Sequence, residues 1–443
     1  MSTIRLILKI YRYNKRLYKI EFKEEKSMKN TKGITLIALI ITIIVMLILV
    51  AVSISVALNT GLFKSAGDAT KNWKSAQDAE ANVGSAIKIG DKTYSSIEEY
   101  IEDTKPLPEG AGKRFSKTKE YTDGTKTAWI PAGFTVSEIR SETTIDGGLV
   151  IYDIPENELE NVKWDGTEKT KYNQFVWIPV KVKSTDTENS IESFYRSKWA
   201  DNAETGGERT TGLGNTYTEP NSTFDKTGKT GIAGQITELT KSIYRYGGFY
   251  IGRYEAGVKP AEDGTSTPRT SSSFQKEEFV VQQDKYPYNY VEWGTSMFDV
   301  SEGAVYLCNN LYSKTNANYG ATSMLCSGAS WDSILDFIKD SKHSVADNST
   351  TALAWGNYEE SEEYKINRGK YAVINTSDYT LGDFQDVVNE YSKEKGQLIL
   401  LTTGATERNS SKNIYDIAGN LFEWTTESDA YNRVCRGRLY FCQ

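Results

Sequence analysis

The sequence predicts an α+β chain: an N-terminal apolar helix, a helical stalk, and then a large, irregular, loop-rich domain. Three observations carry this reading. Ile34 to Leu58 are 25 positions without a charge, and as a helix of about 37 Å they would cross a hydrocarbon layer of about 30 Å. From about Thr127 the apolar residues come in short aromatic and β-branched runs separated by Gly, Asp, Asn and Ser, which is how small sheets are written in sequence. The 443 residues also exceed what one hydrophobic core organises, so two or three units are expected.

The net charge of -7 is unevenly spread. Residues 1–33 carry ten Lys or Arg against three acids, so that stretch is +7 and the remainder is -14. Phosphate binding needs a clustered positive surface, and the acidic remainder offers none, which argues against a nucleic-acid partner. Four cysteines, Cys308, Cys326, Cys435 and Cys442, are too few for a disulfide framework and lack the paired spacing of a zinc site. The single histidine, His343, lies in a polar stretch and reads as solvated. Mechanisms built on a Ser-His-Asp or Cys-His pair would depend on that one imidazole.

The N-terminal elements follow in order. Residues 1–33 form a basic leader, of which 1–27 precede a natural start at Met28 and read as untranslated. Residues 34–58 are the expected transmembrane helix, and Lys26, Lys29 and Lys32 before it place the C-terminal part outside the cell by the positive-inside rule. The segment Lys29-Asn30-Thr31-Lys32-Gly33-Ile34-Thr35-Leu36 resembles the start of type IV prepilins. That resemblance implies a prepilin peptidase as partner, cleavage between Gly33 and Ile34, and other pilins as neighbours in a filament. Ala38 stands where that family carries a glutamate, which leaves a buried ammonium without its carboxylate and suits a minor subunit or a lone anchor.

Residues 59–104 read as a stalk, because Leu62, Ala66, Ala69, Trp73, Ala76 and Val83 recur at spacings of four and three. A short helix over Ser95 to Asp103 ends it, and residues 105–126 read as a linker around Lys105-Pro106-Leu107-Pro108. Within 127–443 the expected strands are Ala128 to Pro131, Leu149 to Asp153, Phe175 to Val182, Gly248 to Tyr254 and Leu398 to Thr402. Expected helices follow Ser301 and cover Ser333 to Lys339 and Asp383 to Lys393. Residues 183–238, rich in Thr, Ser, Asn and Gly, read as a polar surface insertion.

Three strings in this domain carry a family resemblance. They are Gly248-Phe249-Tyr250-Ile251-Gly252-Arg253-Tyr254-Glu255, Val291-Glu292-Trp293, and Asn413 to Trp424 followed by Arg433-Val434-Cys435-Arg436-Gly437. Together they resemble the formylglycine-generating-enzyme (sulfatase-modifying factor) family, a branch of the C-type-lectin-like fold. Asp416 and Glu423 flank a Gly-Asn turn, and two readings of them stay open. Their hard oxygens suit calcium, or they accept backbone N–H bonds and fix the turn. The resemblance implies structural calcium, with side-chain oxygens from Asp416 and Glu423 and main-chain carbonyls from Gly419 and Leu421.

Oxidising members of that family use two nearby cysteines that bind copper. Here Arg436, Gly437 and Cys442 match the first cysteine's segment, while Arg438 and Leu439 depart from it and no second cysteine follows before Gln443. Copper chemistry needs both thiolates, so Cys442 reads as vestigial and the chain as a non-enzyme. The family continues past the position of Gln443, so the domain reads as truncated or as closing its core differently. The expected function is that of a membrane-anchored, surface-displayed binding protein whose lectin-like head recognises a glycan or a protein. The ligand contacts implied by that fold are Asn432, Arg433, Arg436, Arg438 and Tyr440. A minor pilin and a formylglycine-generating oxidase are the alternatives.

Overall fold

A computed structural model describes residues 41–49, 87–90, 92–165, 168–194, 231–271, 276–296, 299–313, 315, 318–339, 355–361, 364–428 and 433–437. The chain divides into two compact units, Met1–Pro106 and Leu107–Gln443.

In the first unit, residues 41–49 are helical. Among the described residues no helix is long and apolar enough to cross a membrane. This corrects the fold class that opened with a transmembrane helix over 34–58, and with it the single-pass membrane location with an extracellular C-terminal part. The rest of that span, the processing pair Gly33 and Ile34, and the Leu62 to Val83 stripe lie outside the described residues.

Further along, β1 (Ile87–Ile89) pairs antiparallel with β2 (Lys92–Tyr94), and α1 covers Ile97–Thr104. The start of α1 is fixed reciprocally. Ser96 Oγ accepts from Glu99 N at 3.1 Å, while the Glu99 carboxylate accepts from Ser95 N. Two otherwise orphaned N–H groups are thereby satisfied.

The second unit is built on small antiparallel sheets. The hairpin β3 (Lys119–Thr122) and β4 (Thr127–Ile130) draws its first strand from the segment expected to be linker. The largest sheet has the order β5-β6-β7-β8, with β5 Thr135–Val136, β6 Val150–Tyr152, β7 Gln174–Pro179 and β8 Gly248–Gly252. Alternation along β7 places Val176 and Ile178 in one hydrophobic cluster and Trp177 in another, so both faces of the strand are covered. One helical turn, α2 (Ile145–Gly148), precedes β6.

The helix α3 (Ile232–Tyr246) begins inside the segment expected to be a polar insertion. Ile232, Ile236, Leu239 and Ile243 recur at spacings of four and three, and Ile232 and Ile243 are buried. Gly247 ends the helix at φ 76°, donating its N–H to Ile243 O at 2.7 Å. Glycine adopts this left-handed geometry at little cost.

Next come β9 (Gly257–Val258), β10 (Phe279–Val280), α4 (Gly303–Leu311) and α5 (Gly328–Ile338), the last capped by Ser327 accepting from Ser330 N at 3.0 Å. Beyond them β11 (Tyr364–Ile366) pairs β14 (Tyr391–Lys393), and β12 (Lys370–Ile374) lies between β13 (Gln385–Asp386) and β15 (Leu398–Leu401). The helix expected over Asp383 to Lys393 is therefore two short strands. Phe384, Val387, Val388 and Tyr391 have helical spacing, but Asn389 turns the chain at φ 64° and Val387 N donates to Gly369 O at 3.0 Å. Tertiary pairing overrides the local pattern. The chain closes with β16 (Ser410–Ser411), β17 (Ile414–Tyr415), β18 (Glu423–Ser428) and β19 (Arg433–Arg436).

Candidate functional site

Two regions of the second unit bring chemistry-bearing residues together: an acidic turn between β17 and β18, and an aromatic cleft beside β7 and β8.

The turn is held by buried amides. Asp416 and Asn420 take left-handed φ values of 62° and 71°, and Gly419 sits at 86°. A Cβ on Gly419 would lie 2.3 Å from Asn357 O, so no side chain fits where the turn docks. Asn357 Nδ2 donates to Ile399 O at 3.0 Å and to Asn420 Oδ1 at 3.2 Å. Asn420 Oδ1 also accepts from Leu401 N at 2.9 Å, and its Nδ2 donates to Glu255 Oε2 at 2.8 Å. Asn420 thus joins β15, the 355–361 segment and the string that ends in Glu255.

Glu255, Asp416 and Glu423 influence one another inside this framework. Burial, then the charges of Asp416 and Glu423, push Glu255 well above the usual carboxylate range. Burial pushes Asp416 up to about 7, against hydrogen bonds from Gly404 N and Asn409 Nδ2 at 2.7 and 2.8 Å. Burial and the neighbouring Asp416 push Glu423 up to about 8. Buried carboxylates without a matching cation hold protons instead of charge.

The calcium set implied by the resemblance can be tested against this geometry. Among the described residues no three His, Cys, Asp or Glu side chains are arranged to hold a metal. Asp416 and Glu423, buried and close enough for the first to raise the second, have the chemistry of hard-cation ligands. Each Asp416 oxygen accepts one N–H and keeps a further lone pair, and both groups sit where positive charge would relieve their burial. Calcium there would supply a fixed charge that holds the turn, with Asp416 and Glu423 as its anionic ligands.

The hairpin of β18 and β19 is latched to the Val291-Glu292-Trp293 string. Trp293 Nε1 donates to Thr425 O at 2.9 Å, and Trp424 Nε1 donates to Val291 O at 2.8 Å. Two of the expected ligand contacts make intramolecular interactions here. Arg436 forms a bidentate pair with buried Glu427 at 2.8 and 2.7 Å, and the Arg433 guanidinium lies 3.7 Å over the Trp293 ring. Arg253, from the first string, pairs with Glu142 at 2.7 Å, both buried. Cys308 is a free thiol, and burial pushes it up to about 12. His343, Asn432, Arg438, Tyr440 and Cys442 lie outside the described residues.

The aromatic cleft, of about 1370 Å³, is the region that sequence reasoning missed. Trp129, Tyr246, Tyr250 and Tyr319 line it and keep part of their surface accessible. Trp129 and Tyr246 lie 5.3 Å apart, and Trp177 and Tyr250 meet edge to face at 5.0 Å. Gly248 makes this packing possible, because a Cβ there would sit 2.4 Å from Trp177 Cζ2. Its two ends have different sequence signals. Glu255 closes a recognised string, whereas nothing in the sequence marks Gln235 or Asn309, which reach the cleft from α3 and α4.

No protein-family model, no curated protein and no solved structure matches this chain. The family resemblance therefore stands on the residues that carry it.

Proposed function

We propose that this chain is a non-catalytic binding protein that recognises a glycan or protein ligand through the aromatic cleft. The single observation carrying this reading is the cleft itself, a large concave surface lined by aromatic faces with polar groups among them, which is the usual make-up of a ligand site. The resemblance to the formylglycine-generating-enzyme family supports it in one respect. The strings shared with that family are occupied in holding the acidic turn and the β18–β19 hairpin, which stiffen the domain around the cleft. In this reading calcium bound by Asp416 and Glu423, with the Gly419 and Leu421 carbonyls, locks the turn.

The test is a glycan array and a cell-binding assay with the full chain, each with and without calcium. Binding that falls when Tyr246 and Tyr319 are replaced by alanine is the expected result. Blank results in both assays, from protein shown to be folded, would remove the reading.

A further inference from the structure

The hydrogen-bond donors of the cleft wall point into the protein. Tyr250 donates its hydroxyl to Trp129 O at 3.1 Å. Tyr312 and Tyr319 donate theirs to the Asp153 carboxylate at 2.6 Å and to the Asp153 carbonyl at 3.0 Å. Tyr288 donates to Glu277 O at 2.6 Å, and the Trp424 indole N–H to Val291 O at 2.8 Å. A tyrosine or tryptophan side chain has one donor, so these five residues give the cleft ring surface and no further N–H or O–H. The small hydroxyls are engaged in the same way: Thr237 donates to Ala233 O at 2.9 Å, Ser323 to Cys308 O, and Ser330 pairs with Ser327 at 2.7 Å. Trp177 Nε1, Gln235 Oε1 and Asn309 Oδ1 are enclosed by their neighbours, beyond the reach of anything in the open volume.

What the cleft does offer is apolar. Phe175, Leu239, Ile251, Leu311, Met324 and Phe422 line it and keep part of their surface accessible. Its volume of about 1370 Å³ is above the roughly 300–1,000 Å³ of small-molecule sites. A glycan or an extended peptide brings a row of polar groups that lose water on burial and need partners; the wall has few left to give. A free acyl chain brings a carboxylate, and no Lys, Arg or His contributes to the lining. An α-helix arrives with its backbone N–H and C=O groups already paired to one another and buries only an apolar stripe.

We propose that the cleft receives the apolar face of an amphipathic helix from a partner protein, with large side chains one helical turn apart seated against the rings. This deepens the reading of the chain as a binding protein and rests on it, selecting protein from its two ligand classes.

The experiment titrates the full chain with two peptides of equal length and composition, made of leucine and lysine alone. One repeats leucine at spacings of three and four and presents an apolar helical stripe; the other alternates the two residues and forms a strand. Equal charge makes any general attraction to the acidic chain the same for both. The helical peptide is expected to bind at least roughly tenfold more tightly, and maltohexaose and laurate are not expected to bind. Met324 lies outside the packed hydrophobic clusters, so Met324→Glu should keep the melting temperature while weakening the helical peptide roughly tenfold, because a charge then faces its apolar side. Met324→Ala, which removes contact without adding charge, should act in the same direction and covers a failure of the first variant to fold.

Equal affinity for the two peptides would overturn the helix. Tighter binding of maltohexaose or of laurate would replace it with a glycan or an acyl chain. Helical-peptide affinity unchanged in both Met324 variants would overturn the site. If the helical peptide does not bind, the inference fails, and the array and cell-binding assay decide separately whether the broader function fails with it.

Discussion

The acidic turn and the aromatic cleft treat buried polar atoms in opposite ways. At the turn, Asn420 reaches Leu401, Asn357 and Glu255, and Asp416 reaches Gly404 and Asn409. In the cleft, Trp177 Nε1, Gln235 Oε1 and Asn309 Oδ1 have no partner among the described residues. A network that satisfies itself fixes a conformation, whereas enclosed groups without partners behind an aromatic wall do not contribute to holding it. The strings that carry the family resemblance therefore mark the scaffold, and the cleft lies where the sequence has no motif.

The sharpest way to break this contrast is at the hairpin beside the turn. Glu427 is fully buried and holds Arg436 at two points. Glu427→Ala removes both charge-assisted hydrogen bonds that hold a largely buried guanidinium and should cost about 3–5 kcal/mol, read as a large drop in the urea midpoint. An unchanged midpoint would mean that the hairpin is not part of the scaffold, and Arg436 would again be a ligand contact.

Asn420→Ala comes next. It removes the acceptor of Leu401 N and the donor to Glu255, and it places a residue without a turn-forming side chain at φ 71°. The expected loss is about 3 kcal/mol from unmet buried groups, measured by denaturant unfolding. Asn420→Gly, which restores only the backbone freedom, should recover a minor part. Full recovery by glycine would show that the amide network contributes little.

The carboxyls of the turn give a smaller effect with a definite sign. Asp416 is raised from 3.8 to about 7 and Glu423 from 4.5 to about 8. The folded chain then holds protons that the unfolded chain has released. Their contribution is complete below the unfolded values and is lost as pH rises through about 7 to 8. In a chelator, stability should fall steadily between pH 5 and pH 8. Saturating calcium should flatten that slope by replacing the protons, and Asp416→Asn with Glu423→Gln should reduce it to the part that burial of Glu255 contributes. Lys393, which burial pushes down to about 8, adds stability only as pH rises above that value, so the chosen window avoids it. A flat profile in chelator would show that the cluster does not carry its charge as described.

Much of the scaffold was legible in the sequence because its signals are local. Strands β4, β6, β7, β8 and β15 each lie within or overlap a short β-branched or aromatic run, and the Asn413 to Trp424 string folds as one turn between strands. The misses share a physical cause. α3 was hidden because its four-residue stripe is embedded in polar sequence, and β13 and β14 because their apolar spacing mimics a helix while their partners are distant in the chain. The cleft was illegible for the same reason. Trp177, Gln235 and Asn309 come from three separate elements, and their lack of partners is a property of packing that no spacing encodes.

Arg433 provides the finest test of the contrast, because the fold analogy made it a ligand contact while the structure sets its guanidinium 3.7 Å over Trp293. A partly exposed cation over an indole contributes about 0.5–1 kcal/mol. Arg433→Met keeps the stem and deletes the charge, so it should lower stability by that amount and leave the affinity for any ligand found in the binding assays within a factor of two. The two readouts separate the roles, since a scaffold residue moves the melting temperature and a contact residue moves the dissociation constant. A tenfold loss of affinity at unchanged stability would place the ligand against β19 and shift the binding surface from the cleft to the hairpin.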